Sequence, residues 1–270
     1  MEERVKAFSD NAEFYQRSSA FTAKFASYAL SLIPPLDASS TVHDNASGPG
    51  VVSFVIASKF PNVDNMPQIY ATDLAPGMVD MLNSQIQAKS LNSRISAQLV
   101  DAQDLKPFLN ETFTHSVTNF AIMVEDVPAI RIASEIHRSL KPGGVAIVST
   151  WQRAGTDLIE AVCRRIRPGL EPLQVIPSAW KTKEKLQQTL VAGGFEANRI
   201  EVHERKEVSD FEDQEKRLAY FCHPFWGMWR RGWTEEENAK WEKVMAEELV
   251  KAFGHGSSIF GIAWIAIATK

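Results

Sequence analysis

The sequence predicts an α/β fold: a doubly wound, mostly parallel sheet covered by helices on both faces, with a helical N-terminus and a helical insertion before the last strand. Three observations predict it. Short apolar runs alternate with amphipathic stretches from residue 41 onward. Three successive predicted strands end at acidic residues, Asp44, Asp73 and Asp101. A long helical segment, about Val208 to Gly256, separates the last two strands.

The elements follow in order. Residues 1–37 read as helical: Phe21, Phe25, Tyr28, Leu30 and Ile33 recur at roughly helical spacing until Pro34-Pro35 stop the run. Thr41 to Asp44 is a short strand, Gly48-Pro49-Gly50 a turn, and Val51 to Phe60 a helix. Gln68 to Thr72 is the second strand. Pro76 sits near the first turn of the next helix, where proline is tolerated, and Met78, Leu82 and Ile86 form its apolar stripe. Ile95 to Val100 and Thr114 to Phe120 are strands. Ile130, Ala133, Ile136 and Leu140 line one helix face, and Pro142-Gly143-Gly144 breaks that helix. Val145 to Thr150 is the fifth strand, Lys183 to Val191 a helix, Arg199 to His203 the sixth strand and Ile259 to Thr269 the seventh. Within the insertion, Thr234 and Glu237 make a capping box ahead of Trp241, Val244, Met245, Leu249 and Phe253. Nothing demands a second domain. The expectation is one domain over 1–270: a cover (1–37), a core (38–207), a lid insertion (208–256) and the last strand (257–270).

Composition narrows the function. The 270 residues carry 33 acidic and 29 basic side chains, a net charge of -4, without the basic footprint of a dedicated nucleic-acid binder. Two cysteines, Cys163 and Cys222, make neither a disulfide framework nor a zinc site, so a reducing, cytoplasmic setting is expected. The N-terminus has no apolar signal region, and the longest apolar run, Ile259 to Ala268, is too short to span a bilayer. No metal-ligand spacing is present. Four of the seven tryptophans, Trp226, Trp229, Trp233 and Trp241, fall in the insertion. They read either as lid packing or as the wall of a ligand pocket.

The sharpest local signal is Val42-His43-Asp44-Asn45-Ala46-Ser47-Gly48-Pro49-Gly50, a small-residue turn between a strand and a helix. Small residues permit a tight turn and close ligand approach. Alone it could be a plain turn or a dinucleotide fingerprint. The fingerprint wants a third glycine where Ser53 stands, and Asp44 sits awkwardly beside phosphates but well beside a cation. Asp73 is placed to accept hydrogen bonds from ribose hydroxyls, and Asp101-Ala102 to meet an adenine. Each aspartate alone reads as a loop cap. Together, at strand ends where open α/β sheets bind ligands, they fit a ligand with a positive charge, a ribose and an adenine but no phosphate. S-adenosylmethionine fits that description.

On these residues the chain resembles the class I S-adenosylmethionine-dependent methyltransferases. Asp44 to Gly50 resembles the family's first motif, Asp73-Leu74-Ala75-Pro76-Gly77-Met78 its ribose-binding motif, and Asp101-Ala102 its adenine-binding step. Leu140-Lys141-Pro142-Gly143-Gly144 resembles the turn before its fifth strand, and the set spans about residues 40 to 151. Asp44-Asn45-Ala46-Ser47-Gly48 and Ser149-Thr150-Trp151-Gln152 carry a narrower likeness to small methyltransferases of fungal secondary metabolism, gliotoxin-type thiol methyltransferases included. Ala46 and Ser47 stand where the broader family often has Gly and Cys. The resemblance implies a seven-stranded sheet, its last strand antiparallel and, from its composition, buried on both faces.

The resemblance also implies site residues. The cofactor set is Tyr15, Asp44, Ala46, Gly48, Gly50, Asp73, Leu74, Met78, Asp101, Ala102, Asn119 and Phe120, with Tyr15 and Phe120 as aromatic faces for the sulfonium. Trp151, Phe225, Trp226, Trp229 and Trp233 are the expected walls for an apolar, flat small-molecule acceptor. A general base, if one is used, falls to His223, whose other reading is lid packing; His43 and His137 read as structural. Arg230-Arg231 could stack on these aromatics, bind an acidic group or be solvated. The expected activity is methyl transfer to an O, N or S atom. The rivals are a methyltransferase-like regulator without catalysis and a nucleotide-dependent oxidoreductase.

Overall fold

The computed structural model describes residues 2–123, 126–169, 176–230 and 232–270. Arg231, named above, lies outside them. Seven strands form one sheet: β1 (Thr41–Asn45), β2 (Gln68–Asp73), β3 (Ile95–Leu99), β4 (Phe113–Asn119), β5 (Leu140–Arg153), β6 (Ile200–Asp210) and β7 (Ser258–Thr269), in the order β3-β2-β1-β4-β5-β7-β6. β1 to β5 pair in parallel, and β7 runs antiparallel between β5 and β6. The chain builds outward from β1 to β3, then crosses back to β4 on the other side of β1. The crevice at the carboxyl ends of β1 and β4 is therefore a topological switch point, where such sheets bind ligands.

The helices are α1 (Glu2–Asp10), α2 (Ala12–Ala29), α3 (Val51–Ala57), α4 (Pro76–Ala88), α5 (Asp126–Ser139), α6 (Thr156–Ile166), α7 (Lys183–Ala192), α8 (Gln214–Cys222), α9 (Glu235–Ala239) and α10 (Trp241–Phe253). On one face of the sheet, Phe25 and Ala29 of α2, Ile56 of α3 and Leu82 and Ile86 of α4 pack on Val42, Ile69, Val117, Ile147 and Ile265. On the other, Ile132 and Ile136 of α5 and Leu186 and Leu190 of α7 pack on Phe113, Ala146, Val148 and Ala266. A third core lies in the insertion and α6: Leu158, Ile159 and Val162 meet Phe221, Phe225, Trp226, Trp241, Met245 and Leu249.

Several boundaries differ from the sequence expectation, each for a physical reason. β6 runs to Asp210 rather than stopping at His203, because β7 pairs along its full 11 residues, from Ile200↔Ala268 to Asp210↔Ser258. The insertion therefore starts after Asp210. β5 begins at Leu140, directly after α5; Gly143 takes φ +75 there and the pairing with β4 skips between Phe113 and His115. In β7 Ile259, Gly261, Ala263 and Ile265 are buried on one face, whereas on the other Ala266 and Ala268 are buried but Phe260, Ile262 and Trp264 only half-buried, so the first half of the strand is covered more fully on one face. The Thr234–Glu237 capping box opens α9, and Lys240 separates that helix from α10. α6 was not anticipated, although Leu158, Ile159, Val162, Cys163 and Ile166 mark its apolar stripe. Among the described residues, no helix is long and apolar enough to cross a membrane.

Candidate functional site

The turn after β1 is held in an unusual backbone. Ala46, Gly48 and Gly50 have φ of +53, +54 and +90. Left-handed backbone costs a non-glycine residue roughly 1–2 kcal/mol, and such strain concentrates at functional sites. Gly50 suits only glycine, since L side chains rarely adopt φ +90, and a Cβ there would also press on Leu82 Cδ1 at 2.4 Å. The Ser47 N–H donates to the Thr72 carbonyl at 2.8 Å, fixing the turn to β2.

Two carboxylates organise this turn. Asp44 is buried, and its Oδ2 accepts from the Ser53 amide (2.9 Å) and the Ser53 hydroxyl (2.6 Å). Ser53, the residue in the place of a third glycine, thus anchors Asp44 to the first turn of α3. The Asp44 Oδ1 is buried without a hydrogen-bond partner. Burial pushes the Asp44 carboxyl up to about 6, the Ser53 bonds oppose this, and the neighbouring Asp73 charge adds to it. Asp73 links the two motifs: Oδ2 accepts the Gly48 N–H and Oδ1 the Ala75 N–H, both at 2.8 Å. Its burial also raises the carboxyl above the ordinary range. Asp101 is half-buried beyond β3 and accepts the Gln103 N–H at 2.8 Å, with Ala102 beside it.

The end of β4 carries Asn119 and Phe120. Asn119 Oδ1 accepts the Ser149 hydroxyl at 2.8 Å, and the Phe120 N–H donates to Ser149 Oγ at 3.0 Å. Phe120 has φ +61 and stacks on Trp151, with centroids 3.8 Å apart and planes 7° from parallel. Phe21 and Phe25 of α2 complete this aromatic cluster around Trp151. Phe120 and Trp151, expected on cofactor and acceptor respectively, are therefore one unit.

The N-terminal helices cover the first two motifs. Tyr15 lies over Gly48, whose added Cβ would sit 3.8 Å from Tyr15 Cε1. Burial and the Asp73 charge push the Tyr15 phenol up to about 12, so it stays neutral. Ala12 packs with Ala75 and Met78, joined by Val5, Phe8 and Tyr15. Ser9 Oγ accepts the Gly77 N–H at 3.2 Å. That bond supplies α4 with the cap its own Ala75 cannot provide. Leu74 is half-buried in the same stretch.

The insertion meets this cover from the other side. Phe225, buried, lies 5.6 Å from Phe8 and 6.2 Å from Tyr15. The tryptophans divide differently from the expected wall. The Trp226 indole donates to the Tyr220 carbonyl (2.8 Å) and the Trp241 indole to the Phe221 carbonyl (3.2 Å). Both bond carbonyls of the last turn of α8, the Tyr220 carbonyl also accepting the His223 N–H at 3.4 Å. Trp233 packs edge-on to Trp241 at 5.8 Å and lies under the Arg167 guanidinium, and Arg230 stacks on Trp241 at 4.7 Å. Trp226 and Trp233 are thereby framework of the insertion, and Trp229 is half-buried beside them. His223 stacks on Phe14 of α2. Phe8, Phe14 and Tyr220 escaped sequence reasoning. For Phe14 a signal existed, since it extends the Phe21, Phe25, Tyr28 stripe by two turns. His43 is buried and bonded to Thr72 Oγ1, and burial pushes it down to about 3.

The residues fit S-adenosylmethionine on their own chemistry. A buried, acceptor-only Asp44 oxygen lacks a donor, a second carboxylate stands at the end of β2, and Gly48 presents no side chain. Comparison with known proteins agrees. Residues 42–144 match a family model described as a methyltransferase domain. The chain is 29% identical over 170 residues to methyltransferase ucsB of an Acremonium species, covering 60% of this chain and 57% of that protein. It is 26% identical over 221 residues to methyltransferase tpcH of Aspergillus fumigatus, covering 77% and 74%. Among solved structures, YcgJ protein from Bacillus subtilis superposes with a TM-score of 0.59 at 16% identity, over 90% of this chain and 98% of that one. A Haemonchus contortus phosphoethanolamine N-methyltransferase 2, solved with S-adenosyl-L-methionine, gives 0.53 at 16% identity, over 92% and 52%. Those structures share the fold. With the domain match and the motifs at the switch point, residues 42–144 match a methyltransferase domain and the chain as a whole is similar in fold to the class I S-adenosylmethionine-dependent methyltransferases.

Proposed function

We propose that the chain transfers a methyl group from S-adenosylmethionine to an O, N or S atom of a flat, apolar small molecule, of the kind made in secondary metabolism. The observation that carries this is the aromatic seam beside the cofactor motifs: Phe8, Phe14 and Tyr15 from the cover pack against Tyr220, His223 and Phe225 from the insertion. Such rings recognise flat apolar surface and stabilise a nearby cation through their faces. When bound, the cofactor supplies a methyl group on a sulfonium, a carbon already activated for displacement. The chain's residues need then only hold, align and exclude water, and alignment can supply roughly 7–11 kcal/mol. In this reading Asp73 holds ribose hydroxyls, Asp101 and Ala102 the adenine, and Asp44 and Asn119 the amino-acid end. Tyr15 and Phe120 offer aromatic faces. The free thiols Cys163 and Cys222 go with a cytoplasmic location.

The test uses methyl-labelled S-adenosylmethionine with a panel of aromatic thiols, phenols and amines and with small-molecule extracts. Label in an apolar product supports the reading. Cofactor binding without any labelled product favours a regulator, and tight binding of a nicotinamide dinucleotide in its place refutes the assignment.

A further inference from the structure

Phe14 and Tyr15 are consecutive on α2, so their side chains leave the helix about 100° apart. Tyr15 turns down onto Gly48, and Phe14 turns sideways into the insertion. There Phe14 lies face to face on the His223 imidazole, with centroids 3.8 Å apart and planes 8° from parallel. Tyr220 stacks on it at 5.1 Å, Phe225 flanks it at 5.4 Å, and Trp226 meets it edge-on at 6.4 Å.

His223 follows α8 in extended backbone, and its Nδ1 accepts the Phe225 amide N–H at 3.2 Å. That bond uses the Nδ1 lone pair, so the neutral ring carries its proton on Nε2. Taking a further proton at Nδ1 would set a donor against the Phe225 donor and break the turn that aims the ring at Phe14. A general base needs an available lone pair within reach of the proton it takes. The geometry suits a flat ring rather than a proton acceptor.

We propose that His223 is a positioning residue which, with Phe14, latches the N-terminal cover to the insertion and so keeps the cofactor enclosed. The inference rests on the methyltransferase reading and deepens it: the aromatic seam that selects a flat acceptor also sets how long the cofactor stays.

The test is the dissociation rate of S-adenosylhomocysteine from the full-length chain, read by stopped-flow tryptophan fluorescence during displacement by excess S-adenosylmethionine. His223→Ala should speed release about tenfold, the effect of losing one aromatic pair, and Phe14→Ala at least as much, since Phe14 also packs on Tyr220 and Phe225. The double variant should release no faster than Phe14→Ala alone, because the His223 ring acts through Phe14. His223→Phe, which keeps a flat ring but lacks the Nδ1 acceptor of the Phe225 turn, should release faster than wild type and more slowly than His223→Ala. Should Phe14→Ala fail to fold, Phe14→Leu is scored in its place, since it keeps apolar bulk and removes the flat face. Release at the wild-type rate from the single variants, additive effects in the double variant, or His223→Phe behaving like His223→Ala would each overturn the latch while leaving the methyltransferase reading intact. A wild-type chain that binds no S-adenosylhomocysteine overturns that reading and the latch with it.

Discussion

Gly77→Ala should detach the N-terminal cover without unfolding the core. Gly77 lies in the first turn of α4, with no left-handed backbone to preserve, and within α4 alone alanine is favoured by about 0.5–1 kcal/mol. The obstacle is α1. A Cβ on Gly77 would lie 2.6 Å from the Ser9 carbonyl oxygen and 2.9 Å from Ser9 Cα. Those are backbone atoms, so no rotamer relieves the overlap and α1 must lift. Overpacking of this kind costs roughly 1–3 kcal/mol, and lifting α1 also breaks the Ser9–Gly77 bond, worth about 0.5–1.5 kcal/mol. α1 has nine residues and cannot remain helical undocked. Relief therefore comes by releasing α1, whose anchorage is the small cluster around Ala12, Ala75 and Met78. A net loss of about 1–2 kcal/mol weakens S-adenosylhomocysteine binding roughly 5- to 30-fold by calorimetry. Trypsin should cut faster at Lys6 while the thermal midpoint of the core holds. Wild-type affinity together with wild-type resistance at Lys6 would refute the idea that α1 closes the site.

Asp73→Ala should reduce S-adenosylhomocysteine affinity more than tenfold and also lower stability by about 1–3 kcal/mol, because the Gly48 and Ala75 amides lose a charged acceptor; unchanged affinity removes Asp73 from the cofactor. Trp226→Phe keeps a ring but removes the indole donor, leaving the Tyr220 carbonyl only the long 3.4 Å bond from the His223 N–H, and should cost about 0.5–1.5 kcal/mol in urea unfolding with cofactor affinity preserved; a change in affinity without loss of stability would put Trp226 in the site. Two buried groups make opposite pH predictions. His43, pushed down to about 3, is neutral in the folded chain while the unfolded chain charges, so relative to His43→Asn the wild type loses about 1.4 kcal/mol per pH unit as pH falls below 6.5. Asp44, pushed up to about 6, holds its proton more tightly when folded, so relative to Asp44→Asn the wild type gains stability as pH falls from about 6 towards its ordinary value. Parallel pH profiles for wild type and either variant, by urea midpoint, would count against these burial effects.

The parallel core was legible because its signals are local. Strand, turn and acidic strand end repeat within each βα unit, so Asp44, Asp73 and Asp101 could be placed at one end of the sheet from spacing alone. The pairing partners of the last strands were not local. β6 looked short because its outer half, Arg205 to Asp210, is charged and reads as loop; only the β7 strand, some fifty residues later, makes it a strand. The insertion illustrates the same limit for side chains. Four tryptophans in a short stretch are equally consistent with a wall and with a framework. The choice lies in where each indole N–H goes, and for Trp226 and Trp241 it goes to the end of α8. Phe8 and Phe14 were legible as apolar helix positions but not as site residues, because their partners, Phe225 and His223, lie about 200 residues away in sequence.

The strain in the backbone says which part of the site is preset. Among the described residues, four non-glycine positions have left-handed backbone, and two of them, Ala46 and Phe120, stand just beyond β1 and β4 at the switch point. Each is held by the sheet itself: the turn carrying Ala46 through the Ser47–Thr72 bond, Phe120 through Ser149 on β5. The parallel sheet thus imposes the geometry of the candidate site's floor before any ligand arrives. The roof is different. It consists of a nine-residue helix seated on one glycine, and of aromatic contacts between α2 and the insertion that make no backbone ladder. A fixed floor and a separable roof match what the proposed methyl transfer needs, since cofactor and product must exchange at every turnover while the methyl group must be presented in one orientation. Opening should therefore run through α1, α2 and the insertion, with β1 to β5 unmoved, and amide exchange should rank the elements in that order of protection.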